Sequence, residues 1–226
     1  MKLLIDDARI DAIRRISEYY PVSGVTTNPT ILARCGKAPY EALREIRAFI
    51  GAKRDLHVQV VALDAAGMQR DAERIIWELG EGTFIKIPCV PEGFKAMKAL
   101  AARGFRTTGT AVYSPMQALL AAQCGADYVA PYVNRMDSMG YDGVAITRQI
   151  QRIFDAQRLK TQVLAASFRN TQQVLDLAEA GVGAATVAPD VIESFLRIPA
   201  VGAAVRDFTE DFARVTGPGV TMENSL

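Results

Sequence analysis

The sequence predicts a closed (β/α)8 TIM barrel followed by one additional C-terminal helix. Short runs rich in Val, Ile and Thr alternate with longer amphipathic stretches along the chain, the pattern of repeated βα units on a parallel sheet. Eight such runs fit within 226 residues, which suits a closed barrel better than an open doubly wound sheet. Polar side chains also gather at the carboxyl ends of these runs, where barrels of this type carry their chemistry.

The first strand is expected at Lys2–Ile5, followed by Asp6 and Asp7, with Asp7 capping a helix that starts near Ala8. The second, Val22–Thr26, runs into Thr27-Asn28-Pro29, which reads as a helix start with Asn28 as N-cap and Pro29 at the first helical position. The third, Leu56–Val61, carries Gln59, an amide that needs several hydrogen-bond partners if it is buried. Asp64–Leu79 then places Met68, Ala72, Ile75, Ile76 and Leu79 at helical spacing. The fourth strand, Thr83–Ile87, contains Lys86; alternation sets it on the face of Phe84 and opposite Ile85 and Ile87, so its amine points into the barrel. Pro91–Ala102, with Phe94, Met97 and Ala101, is a further outer helix. The remaining strands are expected at Arg106–Ala111, Tyr128–Tyr132, Gln162–Ala166 and Ala184–Ala188. Gly181-Val182-Gly183 precedes the last of them and reads as a turn at the barrel's bottom, not as a nucleotide loop.

The barrel is assigned to residues 1–198, the catalytic domain, and a separate terminal element to 199–226. Within the latter, Pro199–Val215 lines Val201, Val205, Phe208, Phe212 and Val215 along one helical face. A closed barrel has its helical ring already filled, so this helix is expected to pack on a neighbouring subunit or across the barrel's base, implying a homo-oligomer. Gly217-Pro218-Gly219 ends the helix, and Thr221–Leu226 reads as a loose polar tail.

Composition narrows the function. With 26 basic and 25 acidic residues, the chain lacks the electrostatic footprint of a nucleic-acid or anionic-membrane binder. Met1–Asp7 turns acidic before any apolar core of signal-peptide length, and no later stretch is long enough to span a bilayer, so a soluble, cytoplasmic protein is expected. Cys35, Cys89 and Cys124 are odd in number and far apart, which argues against a disulfide framework or a cysteine-rich zinc site; each is expected to be a small buried hydrophobe. His57 is the only histidine and is assigned to packing. Neither a metal nor a cofactor is expected.

Lys86 is the strongest catalytic candidate. Burial in an apolar run disfavours the ammonium form, and a neutral amine can attack a carbonyl to form a Schiff base. The competing explanation is a strand-end lysine that snorkels to water. Asp6, Thr26, Asn28, Gln59, Thr110 and Tyr132 fall at the other strand ends, although Asn28 is equally explained as a cap and Tyr132 as core packing. Arg135, Ser167 and Arg169 follow the sixth and seventh strands, with a helix start near Asn170, an arrangement suited to phosphate.

Five ordered motifs carry a family resemblance: Gly24-Val25-Thr26-Thr27-Asn28-Pro29, Phe84-Ile85-Lys86-Ile87-Pro88, Gly109-Thr110-Ala111-Val112-Tyr113, Tyr128 through Arg135, and Leu164-Ala165-Ala166-Ser167-Phe168. On these the chain resembles the small transaldolase family, on its fructose-6-phosphate aldolase side, up to about Val205. The resemblance implies a class I aldolase in which Lys86 forms the Schiff base with dihydroxyacetone or a ketose phosphate, without metal. It further implies that Tyr132 acts as acid/base through a water held by Gln59 and Thr110. Asp6, Thr26 and Asn28 would position substrate hydroxyls, and Ser167 and Arg135, assisted by Arg169, would bind the aldehyde phosphate. Transaldolases proper carry Glu and Phe where this chain has Gln59 and Tyr132, which favours an aldolase over the alternative of a dihydroxyacetone transferase. A non-catalytic sugar-phosphate-binding protein is a more distant alternative. The family assembles as rings of five paired into decamers, its terminal helix crossing to a neighbour. Departures lie at Thr108, where a hydrophobic residue is usual, at Ala188-Pro189-Asp190, and after Gly217.

Overall fold

The computed structural model describes residues 1–225. Eight parallel strands close into a barrel in chain order: β1 (Lys2–Asp6), β2 (Gly24–Thr26), β3 (Asp55–Gln59), β4 (Thr83–Pro88), β5 (Thr107–Val112), β6 (Tyr128–Pro131), β7 (Gln162–Ala165) and β8 (Ala184–Val187). α1 (Ile10–Tyr19) follows β1, and α2 (Pro29–Arg34) with α3 (Pro39–Ile50) follow β2. Next come α4 (Ala65–Leu79), α5 (Pro91–Ala102), α6 (Pro115–Gln123), α7 (Val133–Ser138) with α8 (Gly143–Ala156), α9 (Thr171–Glu179) and α10 (Pro189–Ser194). The expected (β/α)8 barrel is therefore the observed one. By internal contacts the chain divides into one compact unit spanning residues 1–192 and a second comprising the described residues from 193 onward.

Side chains on the outer faces of the strands, among them Ile5, Val25, Leu56, Ile85 and Ile87, are fully buried. Burial at this level contributes about 1.5–3 kcal/mol per large aliphatic side chain. Inside the barrel, Leu4, Phe84, Tyr128, Leu164 and Ala184 form one apolar cluster. At its amino-terminal end Lys2 Nζ donates to the Tyr128 hydroxyl at 3.0 Å and to Asp55 at 3.3 Å. The amino-terminal half of the interior is thus filled, and a ligand can enter only from the carboxyl ends of the strands.

Caps set the loops on that face. Asn28, Asp64, Ser114, Asp142 and Asn170 each accept a hydrogen bond from the backbone N–H three residues on. Gly24 is required at the start of β2, because a Cβ there would lie 2.2 Å from the Asp55 carbonyl oxygen. β3 ends at Gln59, short of the expected Val61, because the amides of Val61 and Ala62 turn to the Asp71 carboxylate at 2.8 and 2.9 Å.

The cap expected of Asp7 does not form. Arg9 stays extended and α1 begins only at Ile10; buried Asp7 instead accepts from the Arg9 backbone N–H at 2.8 Å and from its Nη2 at 2.6 Å. Of the three cysteines only Cys89 is buried, while Cys35 and Cys124 are half-buried. Among the described residues no helix is long and apolar enough to cross a membrane.

In the second unit, α11 (Pro199–Thr216) has no buried residue, and Val201, Val205 and Phe208 are all exposed. Gly217 ends it at φ 98°, a backbone angle that favours glycine. Within the expected tail Thr221–Ser225 forms a local turn, with the Thr221 N–H donating to Asn224 Oδ1 at 2.6 Å and the Ser225 N–H to the Thr221 carbonyl at 2.9 Å. Leu226, the last residue of the expected tail, lies outside the described residues.

Candidate active site

A cavity of about 500 Å³ opens at the carboxyl ends of the strands. Asp6, Asn28, Lys86, Tyr132, Arg135 and Ser167, all anticipated from sequence, line it. Lys86 reaches it from β4 yet is only 3% exposed, and its Nζ donates to the main-chain carbonyl of Thr27 at 2.7 Å. Burial pushes its pKa below the ordinary 10.5; Asp6 opposes that shift and Arg135 reinforces it. Asp6 is displaced in the opposite sense, raised by burial against the pull of Lys86 and a hydrogen bond from Thr26. Both directions favour the uncharged forms, so this pair has no resemblance to a surface ion pair.

Register brings these groups together. Asp6 pairs with Thr26, Gln59 with Lys86, and Lys86 with Thr108. The Thr26 hydroxyl donates to Asp6 Oδ1 at 2.7 Å and also lies 2.7 Å from the Thr186 hydroxyl. Thr110 Oγ1 and the Tyr132 hydroxyl are 2.9 Å apart. A register shift of β5 against β6 between Gly109 and Val112, with Ala111 at φ 53°, accompanies that contact. Such a conformation in a residue with a Cβ costs about 1–3 kcal/mol and is typical of functional sites. Tyr132 is held on two sides, edge-on to Tyr113 at 5.6 Å between ring centroids and 4.6 Å from the Arg135 guanidinium carbon. Gln59 is half-buried, and its buried Oε1 accepts no hydrogen bond among the described residues.

Ser167 and Arg135 come from different strands but one corner. Ser167 sits at φ 61°, and its carbonyl accepts the Asn134 N–H at 2.7 Å, tying the loop after β7 to the helix that carries Arg135. Arg169 is not brought into the cavity. It is exposed, and its backbone N–H is used by Gln173 Oε1 at 2.7 Å. Thr26, Gln59 and Thr110 do not line the cavity either; they sit behind its wall, in contact or register with groups that do.

Sequence reading overlooked several participants. The Thr27 carbonyl holds the amine, but a main-chain acceptor has no sequence signature. Thr30 and Arg34 line the cavity from α2, and their spacing of four behind the Asn28 cap was a legible sign of one shared helix face. Arg9 also lines the cavity, already bound to Asp7.

Beneath Lys86 lies His57, fully buried as the packing assignment expected, stacked on Phe84 at 4.4 Å and edge-on to Tyr128 at 5.3 Å. Its Nδ1 is 2.9 Å from Thr108 Oγ1, while Nε2 has no partner among the described residues. Burial, with smaller contributions from Lys86 and Lys2, holds the ring neutral, well below its ordinary 6.5. Thr108, unusual for the resemblance noted above, therefore exists as half of a pair. Replacing His57 by Phe alone strands the hydroxyl and is expected to cost about 1–3 kcal/mol. Combining it with Thr108→Val should cost less than the two single changes summed, as read from urea midpoints; additive costs would show that the pair is not coupled. The folded protein binds this proton less readily than the unfolded chain, so His57 lowers stability as pH falls below 6.5, and the double variant should lack that component.

The sequence profile of the family described as Transaldolase/Fructose-6-phosphate aldolase matches residues 3–224. A protein of Streptococcus pneumoniae named "Probable fructose-6-phosphate aldolase" is 40% identical over 213 residues, covering 94% of this chain and 96% of its own length.

Proposed function

The chain belongs to the transaldolase/fructose-6-phosphate aldolase family, and on that footing we propose that it is a Schiff-base aldolase interconverting fructose 6-phosphate with dihydroxyacetone and glyceraldehyde 3-phosphate, or closely related donors. One observation carries this reading: a buried lysine amine at the end of β4, depressed in pKa and facing a polar cavity.

The chemistry follows from that amine. Neutral Lys86 Nζ attacks the ketone carbon, and loss of water leaves an iminium linking nitrogen to substrate. This cation withdraws electrons from the neighbouring bond. Removal of the proton from the C4 hydroxyl lets the C3–C4 bond break, expelling the aldehyde and leaving an enamine on Lys86. Protonation of the enamine carbon and hydrolysis return the amine and free dihydroxyacetone. Tyr132, polarised by Thr110, moves the protons through a water that the open acceptor of Gln59 can hold. Asp6, fixed by Thr26, serves the carbinolamine steps and Asn28 a donor hydroxyl. Arg135 and Ser167 take the phosphate of the aldehyde, a charge-assisted contact that a guanidinium makes well. Arg169, exposed outside the cavity, is left with at most long-range attraction of that phosphate.

Incubation with fructose 6-phosphate alone tests the assignment. Free dihydroxyacetone without an added acceptor is the expected result, whereas turnover only with erythrose 4-phosphate would identify a transferase.

We also propose a cytoplasmic setting, in which three unpaired thiols stay reduced. The exposed apolar stripe of α11 supports a homo-oligomer, with the pentamer-based decamer of the resemblance as the expected form. Sedimentation of a chain truncated after residue 198 should show a smaller assembly than the full chain. An unchanged assembly would remove α11 from the interface.

A further inference from the structure

Tyr113 does not line the cavity, and the reaction above gives it no task. It follows β5 directly and is aimed by the irregularity at the end of that strand. Regular alternation through Thr108 and Thr110 would send Val112 inward and Tyr113 outward under the helices. The register shift between Gly109 and Val112, with Ala111 at φ 53°, moves the phase by one residue, so Ala111 and Tyr113 pack instead against the inner cluster of Ala130, Tyr132 and Ala166. The main chain is pinned there: the Tyr113 N–H donates to Gln117 Oε1 at 2.9 Å, and Gln117 Nε2 donates to the Cys89 carbonyl at 3.0 Å. Backbone strain of this kind persists where the re-aimed side chain has a use.

Two neighbours define that use. The Tyr113 ring stands edge-on to Tyr132, with 5.6 Å between centroids and 80° between planes. The guanidinium carbon of Arg135 lies 4.6 Å from the centroid of the same Tyr132 ring, within range of a cation–π contact. Arg135 and Tyr113 also meet each other: a hydrogen bond to the Tyr113 hydroxyl is the largest cause raising the pKa of Arg135, against partial burial and ahead of the electrostatic contributions of Tyr132 and Asp6. The three side chains thus close a triangle, with the Tyr132 hydroxyl 2.9 Å from Thr110 Oγ1 and Arg135 lining the cavity. A long arginine side chain loses much rotamer freedom when a ligand fixes it, and a partner that holds it beforehand lowers that cost.

We propose that Tyr113 is a positioning residue with two duties: its hydroxyl holds Arg135 ready for the aldehyde phosphate, and its ring holds Tyr132 against Thr110 for proton transfer. The proposal rests on the Schiff-base reading above and adds to it a residue that touches neither the substrate nor the reacting atoms. The two duties separate by chemistry, since phenylalanine keeps the ring and loses the hydroxyl, whereas leucine loses both.

The test is steady-state condensation of dihydroxyacetone with glyceraldehyde 3-phosphate and, separately, with unphosphorylated glyceraldehyde, for the native protein, Tyr113→Phe and Tyr113→Leu. Tyr113→Phe should raise the KM for glyceraldehyde 3-phosphate about tenfold, the lower end for a lost hydrogen bond to a charged group, and move the KM for glyceraldehyde much less. Tyr113→Leu should share that rise and also lower kcat with both aldehydes about threefold to tenfold, the scale of one lost aromatic pair, while Tyr113→Phe keeps a kcat near the native value. A KM for glyceraldehyde 3-phosphate unchanged in Tyr113→Phe, or raised equally for both aldehydes, overturns the proposal, as does a kcat in Tyr113→Leu no lower than in Tyr113→Phe. Phenylalanine preserves the ring and its packing, so the KM comparison decides even where the leucine variant does not fold. No product with either aldehyde from the native protein overturns the aldolase reading itself, and this proposal falls with it.

Discussion

Replacing Lys86 by alanine is expected to abolish the borohydride-stable adduct and to lower aldol cleavage by on the order of 10⁴-fold or more, the scale seen when an obligatory nucleophile is removed. No neighbour can substitute. Among the cavity-lining residues Lys86 is the only amine, and the other cations there, Arg9, Arg34 and Arg135, carry guanidinium groups in place of an amine able to form a Schiff base. Lys86→Met keeps more of the side-chain volume and should give the same loss, which separates chemistry from any collapse around a truncated site. Peptide mapping after reduction in the presence of substrate locates the adduct; a label elsewhere than on β4 would sink the mechanism.

The same residue has a predictable pH response. Burial lowers its pKa from 10.5, so the neutral fraction at a given pH exceeds that of free lysine, and trapping should reach half its maximal rate below 10.5. Asp6 is the charge that resists this shift, so Asp6→Asn should move the midpoint lower still. A midpoint that rises in Asp6→Asn would mean that the two groups do not interact as their burial implies.

Tyr132→Phe is the second large effect. It removes a hydroxyl that lies 2.9 Å from Thr110 and keeps a ring wedged between Tyr113 and Arg135, so the fold should persist. Release of dihydroxyacetone should fall about 10²- to 10³-fold, the usual contribution of a positioned acid/base group. Formation of the Schiff base should suffer less, leaving the enamine to wait for an aldehyde acceptor. Activity therefore shifts from cleavage towards transfer, which assays with and without erythrose 4-phosphate can read. Unchanged cleavage in this variant would remove Tyr132 from proton transfer and return it to packing.

The barrel could be read from the chain because its signals are local. Strand alternation, N-caps such as Asn28 and Asn170, and the Pro that opens several helices act over a few residues, so each survives in a one-dimensional reading. Asp7 shows where such signals mislead. A carboxylate ahead of a helix looks like a cap, but with Arg9 extended and Ala8 buried the helix starts later and the charge pairs with Arg9 instead. Arg169 shows the same limit at the site: position after a strand does not fix where a long side chain ends, and this one stays in solvent.

Lys86 stood out because a charged residue within an apolar strand is costly if it is buried, and that conflict is visible in the local sequence. Which groups surround it depended instead on barrel closure, which sets register and brings residues far apart in sequence to within hydrogen-bond range. Thr27 O lies 59 positions from Lys86, Thr108 51 from His57, and Thr186 160 from Thr26.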